Sequence, residues 1–465
     1  MKKKNTQFNT SYHETQEGML RIMNQLKTVF FYHHYPIIKF ILAFIICVFL
    51  FNMLLFSSSL FSSSLIEKNV LESSEILLRE SNHYYLPPFY NVINNNYTDA
   101  IMINEAYSID NATPWFSYMS VRKNYKKGLT VNELEDTKGE LISITTQEGE
   151  ENRYDPVREL NEFLNGKVDT SIEYARYWHG YLPFLRVLLI FFNIAQIRYF
   201  LLVIFIILFL SFVILLKKKF GLIPSVIFGL TLIIYDYFYV SYSLESAPIF
   251  ITMMLASIIL LINIDKIKNI YLYLFFTACI SNFVDFLTVP MITLAVPLVI
   301  YIWYRQKQAT TDFKENLKII LISCVAWGLG YGFTWLSKWV LYDVIFHKNL
   351  VSSAISQVWY RTSRSNSLST YTLSDVLASF CSPYLEILIC YCAAIIINIG
   401  KIDIKSYLKS ITPYILIGVF PLIWYVTLSN HTVLHVFFVY RHMLIFFLCL
   451  MICIYQLVFF DDKES

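Results

Sequence analysis

The chain is constrained above all by a run of about 20 apolar residues, Ile37 to Phe56, followed after a long polar interval by one apolar run after another to the C-terminus. A backbone buried in hydrocarbon must satisfy its own hydrogen bonds, so runs of this length leave helices as the only economical fold. We read further spans near Tyr199–Leu216, Leu222–Tyr239, Ala247–Ile264, Ile270–Thr288, Met291–Trp303, Ile319–Val340, Leu377–Ile397, Ile411–Leu428 and Phe437–Phe459. With the first they make about ten transmembrane helices. Tyr181–Phe192 reads as an extra interfacial or re-entrant helix.

Composition agrees. Apolar residues are 56% of the chain and charged residues 15%, against roughly 25% charged in soluble proteins. A net charge of +3 is too small to call for a nucleic-acid partner. The eight cysteines all sit in or beside apolar runs, so they read as small buried hydrophobes rather than a disulfide framework.

The expected organisation is a cytoplasmic tail at 1–36, a first transmembrane helix at 37–56, an extracytoplasmic loop at 57–180, a multi-helix transmembrane domain at 181–459 and a cytoplasmic tail at 460–465. Lys2, Lys3, Lys4, Arg21 and Lys27 precede the first span, which keeps that end inside. A cleavable signal peptide is disfavoured by its long charged region and poor cleavage pattern. The later inside loops carry Lys217–Lys219, Lys266, Lys268, Arg305, Lys307, Lys314, Lys318, Lys401, Lys405 and Lys409, while the short outside loops carry only Lys348, Arg361 and Arg364. This asymmetry places both termini in the cytoplasm of a multi-pass cell-membrane protein.

The loop is expected to be partly helical and to lean on the membrane helices, because it has no cysteines and few long apolar runs. ILLRESNHYYLPPFY and DPVRELNEFLNG have the apolar spacing of short surface helices. Glu173–Arg198 then carries Tyr174, Arg176, Tyr177, Trp178, His179 and Tyr181 into an apolar run, the pattern of a hinge at the membrane–water interface. Asp236, Glu245, Asp285, Asn430, His431, His435, Arg441 and His442 gather at the same outer side. Ionisable groups at membrane depth cost on the order of 3 kcal/mol each, so a functional cavity is expected there.

One amino-terminal span, a large first outer loop and many further spans resemble the GT-C superfamily of membrane glycosyltransferases. NYTDAIMINEA (Asn96–Ala106), YARYWHGYLPFLR (Tyr174–Arg186), NFVDFLTVP (Asn282–Pro290) and PLIWYVTLSNHTVLHVFFVYR (Pro421–Arg441) are similar to motifs of a set of multi-pass membrane proteins of Firmicutes. The resemblance implies transfer of a sugar from a polyprenyl-phosphate donor, a lipid-linked sugar, to a cell-envelope glycan or lipid acceptor, with membrane lipids around it. The chain departs from the GT-C pattern in lacking an acidic pair directly after the first span, where only Glu67, Glu72 and Glu75 follow.

Such a transfer needs a carboxylate to take the acceptor's proton and cations to neutralise the departing phosphate. Asp99, at the start of an apolar-patterned segment, is the first candidate base, with Glu105 and Asp110 behind it. A plain helix-capping role is the competing reading for Asp99. Arg176, Arg186 and Arg441 suit phosphate, since guanidinium matches its oxygens bidentately; snorkelling toward headgroups is the competing reading for the first two. His179 lies in the same interfacial cluster, with ring packing as its plainer role. His431 and His435, four apart, share a helical face and suit either phosphate or a divalent cation. No third metal ligand is identifiable, so no metal site and no certain cofactor are assigned. Asp285 is expected to pair with a cation on a neighbouring helix.

The chain carries no nucleotide-binding glycine loop, no GxSxG elbow and no HExxH. Other readings stay open at this stage: a transporter or flippase of a lipid-linked polysaccharide precursor, a polymerase of that precursor, or a non-catalytic envelope protein. Against transport, no internal repeat is visible.

Overall fold

The computed structural model describes residues 37–80, 83–85, 93–109, 117–125, 143–145, 151–153, 155–167, 170–308, 313–363, 372–398 and 402–459. Asp110 and both expected tails lie outside them. Within them the protein is helical, with three two-stranded antiparallel ribbons in the loop region.

The first apolar run forms α1 (Ile37–Ser58). The loop then builds α2 (Glu67–Glu80), α3 (Asn96–Ser108) and α4 (Pro156–Leu164), with strands β1 (His83–Tyr85), β2 (Ile93–Asn95), β3 (Arg122–Tyr125), β4 (Ser143–Thr145), β5 (Glu151–Arg153) and β6 (Thr170–Glu173). The short helix expected in DPVRELNEFLNG is α4. It starts where Pro156 supplies a fixed φ and the Asp155 carboxylate accepts from the Val157 and Arg158 amides. The helix expected over ILLRESNHYYLPPFY instead ends at Glu80, because His83–Tyr85 pair in register with Ile93–Asn95 as a ribbon.

Leu182–Phe191 is α5, the short helix expected at Tyr181–Phe192, and α6 (Ile194–Phe220) follows. An Asn193–Gln196 capping box starts α6, and three lysines with Gly221 at φ 100° stop it. Next come α7 (Leu222–Ile234), α8 (Ala247–Asn263), α9 (Ile270–Val284), α10 (Ile292–Lys307), α11 (Phe313–Phe346), α12 (Leu350–Thr362), α13 (Leu373–Ile397), α14 (Ile404–Gly418), α15 (Phe420–Thr427), the short turns α16 (Ser429–Leu434) and α17 (Val436–Val439), and α18 (Met443–Val458).

Every stretch read as a span contains a helix, although the helix ends at Ile234 within Leu222–Tyr239 and at Val284 within Ile270–Thr288. Counting continuous helical stretches among the described residues, seven are long and apolar enough to cross a membrane: Ile37–Ser58, Ile194–Phe220, Leu222–Tyr242, Phe313–Phe346, Leu373–Ile397, Ile404–Thr427 and Val436–Val458. Ala247–Asn263 and Ile270–Val284 are shorter apolar helices. Ile292–Lys307 has 16 residues, most of them buried inside the bundle.

Two cores hold the fold. The larger runs unbroken from loop residues such as Val70, Met102 and Leu160 through Leu185 and Ile197 into Phe250, Leu298 and Leu448. The loop therefore shares the bundle's core. The smaller seats α1, with Phe51 stacked on Phe283 at 4.1 Å between ring centroids and Trp178 beside both. The other face of α1 leaves Ile41, Ile45 and Phe49 more than half exposed, and α6 and α13 carry similar stripes. Apolar faces of this extent need hydrocarbon around them. The protein is a predominantly helical membrane protein on that ground. The same reasoning revises the reading of the cysteines: Cys47, Cys279, Cys449 and Cys453 are buried, but Cys381, Cys390 and Cys392 lie exposed on α13, where lipid takes the place of a protein interior.

Close approach fixes the segment before α5. The Gly180 amide donates to the Phe283 carbonyl at 2.9 Å, and a Cβ at Gly180 would lie 2.4 Å from that oxygen. Gly180→Ala is therefore expected to lower stability by about 1–3 kcal/mol, read as an earlier thermal unfolding transition in detergent. An unchanged transition would show that this contact is not tight.

Candidate active site

The sequence-selected residues separate into distinct groups. Asp99, in the first turn of α3, is fully buried and accepts from the Leu244 amide at 2.9 Å and from Arg198 Nη2 at 3.2 Å. Arg198, near the start of α6, also donates to Glu80 at 2.7 Å and to the Asn96 side chain at 2.9 Å. Burial pushes the Asp99 carboxyl up to about 6, even though Arg198, by charge and hydrogen bond, pulls it down. Both Asp99 oxygens thus tie the loop to α6 and to the turn before α8.

Arg186 is also wholly buried. It donates to the Ala106 carbonyl and, at 2.8 Å, to the Phe61 carbonyl, with its guanidinium over the Phe61 ring. It binds α5 to α3 and to the segment after α1, which is neither snorkelling toward headgroups nor an open phosphate site. Arg441 is nearly buried beside Asp236, 4.0 Å away, while Tyr440 donates to the same carboxylate. That pair sits at the turn after α7, so Arg441 joins α18 to α7 rather than to the loop.

Glu105, six residues after Asp99 on α3, occupies the centre. Its Oε2 accepts from the Tyr181 hydroxyl and lies 3.2 Å from His179 Nδ1, with both side chains of the Glu105–His179 pair fully buried. The His179 Nε2–H donates to the Tyr174 carbonyl at 2.6 Å, so Nδ1 is the nitrogen aimed at the carboxylate. His179 has φ 55°, a left-handed backbone that a residue with a side chain adopts only when its surroundings enforce it. Here Gly180 against Phe283 and Tyr181 against Glu105 do so. Glu105 Oε1 has no hydrogen-bond partner and is, among the described residues, the only buried carboxylate oxygen so left.

A second polar group faces this one across an aromatic layer. Phe286 contacts the rings of Tyr177, His179 and Tyr181, and Tyr177 also stacks on Trp335. Beyond it, Arg361 donates to the Tyr177 hydroxyl at 3.2 Å and to His431 Nδ1 at 2.5 Å. His431 therefore carries its proton on Nε2 and donates it to the Leu287 carbonyl at 2.9 Å. His431, in α16, and His435, at the break between α16 and α17, bring their ring centroids to 4.5 Å. Among the described residues no three His, Cys, Asp or Glu side chains are grouped to hold a metal ion. Asp285 accepts from Thr288 and from Tyr331 at 3.2 Å, hydroxyl donors in place of the expected cation.

Arg176 stands apart, half-buried at a surface cleft with its guanidinium over the Tyr174 ring. The sequence reading passed over Arg361, which it counted as an outside-loop charge. It is instead in the last turn of α12, 8% exposed. The amphipathic pattern of LVSSAISQVWYRT was the available signal. Lys338 was passed over too: within the α11 span it is fully buried, donating to the Met119 carbonyl at 2.7 Å and so docking the loop on α11.

No protein-family model matches the chain, and no curated protein or solved structure does either.

Proposed function

We propose that the protein is a GT-C-like membrane glycosyltransferase that moves a sugar from a polyprenyl-phosphate donor to a cell-envelope acceptor at the extracytoplasmic face, with both termini cytoplasmic. The observation that carries this reading is the unpartnered, buried Oε1 of Glu105 against an aromatic layer, with a buried arginine, Arg361, on the other side of that layer. An orphaned acceptor in such a place costs about 1–3 kcal/mol, and a hydroxyl donor from a ligand would relieve it.

In the proposed step the acceptor oxygen bonds to the sugar's anomeric carbon as that carbon's bond to the phosphate oxygen breaks. The acceptor's proton passes to Glu105. Tyr181 holds the carboxylate in place by donating to Oε2, with His179 Nδ1 3.2 Å from the same oxygen, leaving Oε1 for the acceptor. Arg361, oriented by His431 and Tyr177, supplies the positive charge that the departing phosphate requires. The base role moves from Asp99 to Glu105 because both Asp99 oxygens are already engaged.

The reading is tested with purified protein in liposomes given a polyprenyl-phosphate sugar and a glycan acceptor on one side. Donor consumption with appearance of glycosylated acceptor is expected. Movement of intact donor across the bilayer without consumption would instead mark a flippase.

A further inference from the structure

We infer that the surface cleft between β6 and the start of α12 binds an anionic polyhydroxyl chain, a sugar- or polyol-phosphate polymer, as the acceptor; this rests on the transferase reading above. The cleft encloses about 410 Å³, within the range of ligand pockets. Its charged groups are Glu173, Arg176 and Lys348, a net charge of +1.

The wall is built rather than incidental. Trp335 and Trp339 of α11 each donate an indole N–H to the Arg176 carbonyl at 2.9 Å, fixing the backbone that presents its guanidinium. Glu173 accepts from the Tyr342 hydroxyl at 2.5 Å and pairs with Lys348 at 3.4 Å. Burial raises the Glu173 carboxyl, but the Tyr342 hydroxyl and Lys348 outweigh it and hold it below the usual carboxylate range, so it is an ionised acceptor. On the far side the Asp343 carboxylate accepts from the Leu350 and Val351 amides and sets the first turn of α12.

These groups choose among anions. A phosphate without hydroxyls would meet Arg176 and Lys348 but would offer Glu173 no donor. A chain carrying both phosphate and hydroxyls satisfies all three, its hydroxyls donating to Glu173 and meeting Asn349 and Ser353, its carbon faces lying on Tyr174 and Tyr342. One residue links the cleft to the proposed reaction centre: Tyr174, which lines the cleft, accepts from the His179 ring through its carbonyl, and His179 lies 3.2 Å from Glu105.

The test measures binding of a short poly(glycerol phosphate) to the full chain in neutral-lipid nanodiscs, without donor, beside a neutral oligosaccharide of equal length. The anionic probe is expected to bind more tightly and to weaken with added salt. Arg176→Gln and Lys348→Gln are each expected to weaken it about tenfold, or 1.4 kcal/mol, while Lys348→Arg retains it. Lys348 is 55% exposed, so its replacement leaves folding intact. Equal binding of the neutral probe, or unchanged binding in both Gln variants, would overturn the inference. So would loss of probe binding in phosphatidylglycerol nanodiscs beyond that in nanodiscs of equal negative charge with a different headgroup, which would mark a headgroup site. Because no donor is present, a failure here is separate from a failure of the liposome turnover assay.

Discussion

Glu105→Gln is expected to reduce sugar transfer by about 10²–10⁴-fold, the range that general base catalysis contributes. The amide keeps the size and can still accept from the Tyr181 hydroxyl but cannot take up the acceptor's proton, so donor binding should survive. The two quantities are read separately, as single-turnover rate in liposomes and as donor affinity in nanodiscs. A parallel loss of affinity and rate would make Glu105 a structural carboxylate. Retained turnover would remove it from the chemistry and return the question to Asp99 and Asp110. Asp99→Asn provides the contrast: with both oxygens engaged in docking the loop, its effect is expected on stability.

Arg198→Met is the second large effect, about 3–5 kcal/mol of destabilisation, the cost of leaving a buried carboxylate without its cation. Arg198 is 4% exposed and holds Glu80, Asn96 and Asp99 together, so its loss should release α3 from α6 and, with it, Glu105. Protease sensitivity of the loop and the thermal transition both report this. Asp99 adds a pH signature. Its carboxyl lies at about 6 in the folded protein against 3.8 ordinarily, so the folded state binds the extra proton. The sign follows: this contribution is fully present below about pH 4 and is lost as pH rises through about 6, on the order of 3 kcal/mol in all. Asp99→Asn should flatten that part of the stability–pH curve. An identical slope in the variant would rule out Asp99 as its source.

The membrane class and the helices were legible because they depend on local composition. An uninterrupted apolar run of 20 residues leaves its backbone one way to satisfy itself in lipid, and such runs appear in the sequence as they stand. DPVRELNEFLNG was legible as a helix from its apolar spacing, with Asp155 to cap it and Pro156 to start it, whereas NYTDAIMINEA showed only an apolar pattern with Asp99 near its start. Three further signals were weaker. Ile292–Lys307 is apolar on every side, which reads the same in lipid and in a protein interior. The ribbon at His83–Tyr85 depends on pairing with Ile93–Asn95, a partner no local pattern names. Arg361 looked like a loop charge because its burial comes from His431 and Tyr177, 70 and 184 residues away in sequence.

The sequence by itself determined that the chain is helical, apolar and organised around a polar region between its first helix and the rest, because hydropathy is additive along the chain. It also singled out Glu105, His179 and His431 by residue type. Only the tertiary structure decided their company. Arg186, Asp99 and Arg441 are three charged residues of the same promise in sequence, yet each is committed to a buried structural contact, while Glu105 keeps the one buried carboxylate oxygen among the described residues that has no hydrogen-bond partner. That difference is a matter of which helices pack together, and long-range packing leaves no mark on any single stretch.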